Sequence, residues 1–447
     1  MAAGGAPGPG SEDFRGRLRR LRRAPAAASD TAAGESAGES TPPALPAWLR
    51  ARLGSRRAAA AVPAGPERSS GEPRDLAEHQ GPRGAFAARV TCFGPASDHG
   101  CFRLAEVDHA ERDVFRLLTG DAALDALDPR TAVYLDIETT GLSGGAGTTP
   151  FMIGLGRFDG AQFELWQGFL REPDEEPALL AECARRVAAA SGVVSFFGKS
   201  FDRHRLEDKM RMHRVPPPFT DRPHLDLYHP LRRLYAGALA DGRLQTMERS
   251  LCGVGRADDL PGSFAPAAWF DFLCGRPHLL EDVFRHNLDD VLSLVALYAH
   301  LGRTLAERRA DGAPLEAAAD LRAERAAALA QLFVKRRRFA EGLAWSRRAL
   351  ERIAAGGRRR EAALLEAECL RRLGRAEEAF AAFAKLGAER DGHAPVALFA
   401  AAKLADSDDV ALPLLDRALD LARVFDPRLV AAIDRRRRRT AARLGAG

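Results

Sequence analysis

The stretch Ala132-Val133-Tyr134-Leu135-Asp136-Ile137-Glu138-Thr139-Thr140-Gly141 decides how this chain is read. Its β-branched and aromatic residues predict a strand. Alternation along that strand puts Leu135 and Ile137 on one face and Asp136 and Glu138 on the other. Two carboxylates on one face of an apolar strand are costly unless a positive charge lies between them, and a divalent cation is the simple answer. The competing reading is a solvent-facing strand with ordinary surface acids. Against it stands Thr139-Thr140-Gly141, which bends the backbone sharply towards the acidic face.

Outward from this strand, a Gly-rich turn (144–147) leads to two further strands, residues 151–158 (FMIGLGRF) and 162–170 (QFELWQGFL). Short links between three strands predict an antiparallel meander. Residues 175–190 form an amphipathic helical pattern, 192–197 a buried strand, and 200–213 a helix. Residues 224–233 read as a strand then a helix, and 280–301 as a long helix. A meander followed by alternating helices and strands is an α/β pattern: a mixed sheet with helices on both faces.

Two more elements carry chemistry. Residues 193–202 read V-V-S-F-F-G-K-S-F-D. The Gly-Lys-Ser evokes a phosphate loop, but position 193, where that motif needs glycine, is valine, so nucleotide binding of that type is rejected. Asp202 is either a first-turn acid suited to the helix dipole or a third carboxylate returned to the end of the sheet. In residues 286–291, H-N-L-D-D-V, His286 and Asp290 lie four apart on one helix face. Alone, such a pair is more often an ordinary surface pair.

The flanks divide by composition. Residues 1–84 are rich in Ala, Gly, Pro, Ser and Arg and predict a mostly disordered tail, with nascent helices at 12–24 and 45–53. Residues 85–130 read as a small lead-in module whose two strands flank the turn at 95–100. Residues 131–302 hold the sheet. Residues 315–445 read as paired helices repeating at about 36 residues, similar to tetratricopeptide repeats, with a plain helical bundle as the alternative. Six scattered cysteines without a C-x-x-C pair suggest reduced thiols in a cytoplasmic chain, not a disulfide framework or a zinc site. No apolar run is long enough for a membrane span, and the first residues do not read as a secretory signal. The net charge of +5 allows nucleic-acid contact without establishing it.

Taken together, D-I-E-T-T-G, F-x-G-K-S-F-D and H-N-x-x-D-V resemble the three ordered motifs of the DEDD exonuclease superfamily, which has a ribonuclease H-like fold. The YprB-like branch, a ribonuclease H-like domain followed by tetratricopeptide repeats, is the nearer likeness. It is also carried by residues 144–148, by His224-Leu225-Asp226-Leu227, by Arg232-Arg233-Leu234 and by Asp259-Leu260-Pro261-Gly262. The resemblance implies that Asp136, Glu138, Asp202 and Asp290 hold two Mg²⁺ or Mn²⁺ ions, as hard cations prefer oxygen ligands. It also implies that His286 orients or deprotonates the attacking water, and that the activity is 3′–5′ exonucleolytic hydrolysis of single-stranded DNA or RNA. Thr139, Gly141, Lys199, Phe201 and Asp226 are the expected substrate contacts, and Arg232 and Arg233 can track phosphates. Two departures stand out. Three residues separate His286 from Asp290, the spacing of the tyrosine form. Phe197 stands where relatives commonly carry asparagine. The alternatives are a nucleic-acid binder without turnover, an adaptor working through its helical repeats, and an endonuclease on RNA–DNA hybrids.

Overall fold

The computed structural model describes residues 73–81, 83–141, 148–256, 260–354 and 356–445. The expectations for residues 12–24 and 45–53, for the turn at 144–147 and for Asp259 lie outside the described residues.

In chain order the strands are β1 (Ala77–Gly81), β2 (Gly84–Phe93), β3 (Asp98–His99), β4 (Phe102–Arg103), β5 (Val133–Thr139), β6 (Pro150–Asp159), β7 (Gln162–Phe169), β8 (Val193–Ser195) and β9 (His224–Asp226). Seven form one mixed sheet, ordered β1-β2-β7-β6-β5-β8-β9. The meander β5-β6-β7 is antiparallel, whereas β8 and β9 run parallel to β5. The turn at 95–100 does not join two long hairpin strands. Instead β2 lies between β1 and β7, and only β3 and β4 pair as a short ribbon. The physical reason is burial: Phe86 is fully buried against the edge of Trp166, which an isolated hairpin could not provide.

Helices cover both faces. Val133, Leu135 and Ile137 share a core with Leu179, Leu180, Cys183 and Val187 of α2 (Glu176–Ala188), and with Leu206 and Met210 of α3 (Asp202–Met212). On the opposite face Tyr134 meets Tyr298 of the long C-terminal helix of the domain (Leu280–Gly302), ring centroids 6.1 Å apart. Preceding α2 is α1 (Arg112–Thr119), whose Phe115 also packs on Tyr298. Between α3 and the long helix come α4 (Tyr228–Tyr235), α5 (Leu244–Met247), a π-helical turn (Glu248–Cys252) and α6 (Ala265–Leu273), which makes the long helix α7.

Seven more helices follow: α8 (Ala319–Lys335), α9 (Phe339–Arg352), α10 (Gly357–Arg372), α11 (Ala376–Gly387), α12 (Ala394–Ala401), α13 (Asp408–Phe425) and α14 (Val430–Gly445). Each packs on its successor. A buried polar joint ties them to the sheet domain. The Arg325 guanidinium, fully buried, donates to Glu316 at 2.5 Å and to the Thr304 carbonyl at 2.8 Å. The Tyr235 hydroxyl donates to Glu316 at 2.6 Å and meets His300 Nε2 at 2.9 Å. No helix among the described residues is long and apolar enough to cross a membrane.

Candidate active site

Asp136 sits on β5 directly across from Gly154 of β6, which in turn faces Gln167 of β7. A Cβ at Gly154 would stand 2.4 Å from Asn287 Oδ1, so only glycine admits the Asn287 side chain of α7 against the sheet. Asn287 is completely buried, accepts from Gln167 Nε2 at 3.0 Å, and donates from Nδ2 to Asp136 Oδ2 at 2.8 Å. The carboxylate on β5 is thus oriented by two buried amides. Glu138 shares that face, and its register with β6 shifts between Glu138 and Thr139, a bulge of the kind that re-aims side chains.

α7 contributes His286, whose Nε2 lies 3.5 Å from Asp290 Oδ2 and 4.0 Å from Glu138 Oε1. Asp202, the first residue of α3, is buried. The three aspartates feel one another. Burial, then the charges of Asp290 and Asp202, hold the Asp136 carboxyl well above the usual carboxylate range. Burial, then Asp226 and Asp290, push Asp202 up to about 8. Asp290 is raised by burial, opposed by Arg256 and His286. Clustered carboxyls whose ionisation is disfavoured chiefly by burial form an all-oxygen donor set suited to a hard divalent cation. That donor chemistry fits the metal ions the fold implies. Among the described residues no three His, Cys, Asp or Glu side chains are already grouped tightly enough to cage an ion.

Arg256 gives one physical reason. Its Nη2 donates to Asp290 Oδ1 at 2.5 Å, and the same guanidinium grips Glu248 of the π-helical turn through two bonds of 2.7 Å. Ser293 and His99 continue the chain behind Glu248, at 2.5 and 2.7 Å. Sequence reasoning missed Arg256: among 66 Lys and Arg residues a single arginine before a loop carries no signal. It also gave Asn287, Gln167 and Gly154 no role, although Asn287 stands inside the H-N-x-x-D-V motif and Gly154 interrupts a strand.

The expected substrate contacts divide. The Thr139 hydroxyl donates to the Gly141 carbonyl at 3.0 Å, closing the bend after β5. Asp226 on β9 adjoins Asp202, whose carboxyl feels its charge. It accepts the backbone N–H groups of Phe197, Lys199 and Tyr228 at 2.8, 3.1 and 3.1 Å, and so builds the turn between β8 and α3. Within that turn a Cβ at Gly198 would stand 2.4 Å from Ser195 Oγ and 3.0 Å from Asp202 Oδ2. Lys199 Nζ lies 3.6 Å from Asp121. Phe201 precedes α3 half-buried, with the Arg205 guanidinium 5.1 Å from its ring.

Comparison with known proteins agrees with this architecture. Residues 133–302 match the family model of the RNase_H superfamily. Over 174 residues the chain is 36% identical to an uncharacterized protein, YprB, of Bacillus subtilis (strain 168). That alignment covers 38% of this chain and 42% of the relative. The sheet order, the helices on both faces and the match together make residues 133–302 a ribonuclease H-like domain, and the match supports nuclease-type activity in general.

Proposed function

We propose that this domain is a metal-dependent 3′–5′ exonuclease acting on single-stranded nucleic acid. The observation that supports it best is the group of Asp136, Asp202 and Asp290, whose carboxyls are all raised chiefly by burial, with Glu138 and His286 alongside. Asp136, Glu138, Asp202 and Asp290 would hold two Mg²⁺ or Mn²⁺ ions, which when bound supply Lewis-acid charge to the phosphodiester. The chain's own side chains do the rest. Asn287 fixes which oxygen of Asp136 is engaged in the protein, leaving the carboxylate a single orientation. Between Glu138 and Asp290, His286 is positioned to take the proton of the attacking water. Asp226 holds the turn that carries Asp202 towards the sheet's end.

Arg256 favours a second reading, a binder that keeps the fold without turnover, because it already neutralises Asp290. One experiment separates the two. Purified protein is incubated with 5′-labelled single-stranded DNA and RNA, with EDTA or Mn²⁺. The proposal expects stepwise shortening from the 3′ end in Mn²⁺ only. Intact substrate with retained binding would establish the binder, and early internal fragments would establish an endonuclease.

A further inference from the structure

Phe197 is anomalous in two independent ways. Its backbone has φ +62°, a conformation that L side chains other than asparagine and aspartate seldom adopt. The residue is 44% exposed although its side chain is a large apolar group. A residue held in a strained conformation to keep an aromatic ring in water points to a use for that ring. The strain is maintained by the Asp226 carboxylate, which accepts from the Phe197 and Lys199 amides.

The ring does not stand alone. Tyr228, at the start of α4, meets Phe197 edge-on with centroids 5.0 Å apart, and His229 lies 6.3 Å from Phe197 and 5.2 Å from Tyr228. Phe196 also meets Tyr228 edge-on, with centroids 5.6 Å apart. Beside these rings is a cavity of about 280 Å³ bordered by Lys199, His229 and Arg233, with Asp121 and Asp226 as its acids. Asp226 is committed to three backbone amides, and Asp121 is 3.6 Å from Lys199. The Arg233 guanidinium is disfavoured by burial and by the neighbouring charge of Arg336. An exposed aromatic step beside a pocket that offers Lys199 and Arg233 as cations, with Asp121 and Asp226 as their counter-charges, matches the two faces of a nucleotide, a π-surface and a phosphate.

We propose that Phe197, Tyr228 and His229 form a stacking shelf for an unpaired base of the substrate strand, and that Lys199 and Arg233 take a phosphate of the same strand. The shelf lies next to the acids, since Gly198 joins it to Asp202. It rests on the nuclease reading only for the identity of its ligand. A shelf of this kind selects single strands, because in a duplex both faces of each base are already covered. It also gives the phenylalanine at the asparagine position a purpose.

Glycine accepts φ +62° without strain, so Phe197→Gly removes the ring while the turn keeps its shape. The full-length protein is titrated into a labelled twelve-nucleotide oligo-dT, in EDTA and in Ca²⁺, with anisotropy as the readout. Phe197→Gly should raise Kd about tenfold or more, the range of one lost base–aromatic stack, and Phe197→Trp should stay near wild type. Binding to a blunt duplex should not change, nor should the shift in melting temperature produced by Mn²⁺. Arg233→Ala should lower the slope of log affinity against log salt by about 0.7. Equal oligo-dT affinity for wild type and Phe197→Gly, or equal weakness of the Gly and Trp variants, would overturn the shelf. Mn²⁺-dependent cleavage is read on the same samples. Cleavage with Phe197→Gly binding unchanged removes the shelf alone, and Phe197-dependent binding without cleavage removes the nuclease reading alone.

Discussion

At the scale of single residues, the four acids are chemically unequal. Asp202 keeps its proton up to about pH 8 in the fold, against an ordinary value of 3.8. Below about pH 4 the group is protonated in both states and contributes no difference. Between those values the folded state binds more proton than the unfolded chain, so metal-free stability falls as pH rises through the window. We expect the melting temperature in EDTA to be lower at pH 8 than at pH 5.5, part of that slope to vanish in Asp202→Asn, and Mn²⁺ to raise the pH 8 value. A scanning calorimetry series would check all three. Asp202→Asn should also be more heat-stable than wild type in EDTA at pH 8 while losing more than a hundredfold in cleavage rate, above about 2.7 kcal/mol of barrier. His286→Ala should lower the rate by about 10²–10⁴-fold with Mn²⁺ affinity nearly unchanged, the range of a general base. His286→Tyr should keep more activity than Ala, given the spacing to Asp290. If Ala and Tyr both matched wild type in single-turnover assays from pH 6 to 9, the imidazole would have only a packing role.

At the scale of elements, the site depends on how closely α7 approaches the meander. Gly154→Ala would put a methyl carbon where Asn287 Oδ1 stands, at 2.4 Å. We expect it to lower the melting temperature and the cleavage rate together, whereas Asn287→Leu should release Asp136 and impair activity more than stability. Parallel melts and rate measurements distinguish these outcomes. Arg256 holds the π-helical turn against α7 through Glu248 and Asp290. Removing it as Arg256→Met leaves a buried carboxylate without its cation, a loss of about 3–5 kcal/mol, and Arg256→Met with Glu248→Gln should recover much of that in chemical denaturation. These contacts also mark what was legible beforehand. The strand of Asp136 and Glu138, the helix of His286 and Asp290 and the turn before Asp202 follow from period-two and period-four patterns, which are local. The pairing of β2 with β7, the grip of Arg256 on Asp290 and the amide relay from Gln167 join residues between 34 and 120 positions apart, and no local pattern encodes them. The His224-Leu225-Asp226-Leu227 motif marks Asp226 as an expected substrate contact. Only the geometry reveals that its carboxylate also accepts three backbone amides.

At the scale of the whole molecule, the sheet domain and the first helix beyond it share a buried ionic joint. Arg325 and Glu316 are fully paired there, and His300, pushed down to about 4 by burial, stays neutral beside them. Arg325→Ala should destabilise the whole described unit by about 3–5 kcal/mol, because Glu316 would remain buried without its cation, holding only the Tyr235 hydroxyl. A two-domain unfolding profile in place of one shifted transition would show that the joint does not couple the parts. The same joint has a mechanical consequence. α4 starts at Tyr228 beside the aromatic shelf and ends at Tyr235 in the joint, a rod of about 12 Å. α7 carries His286 in its first half, Asp290 at its middle and His300 in the joint, about 21 Å along the axis from His286. Both helices leave the same joint, so a shift of the helical region there has two paths into the sheet domain, one along α4 to the aromatic shelf and one along α7 to His286 and Asp290.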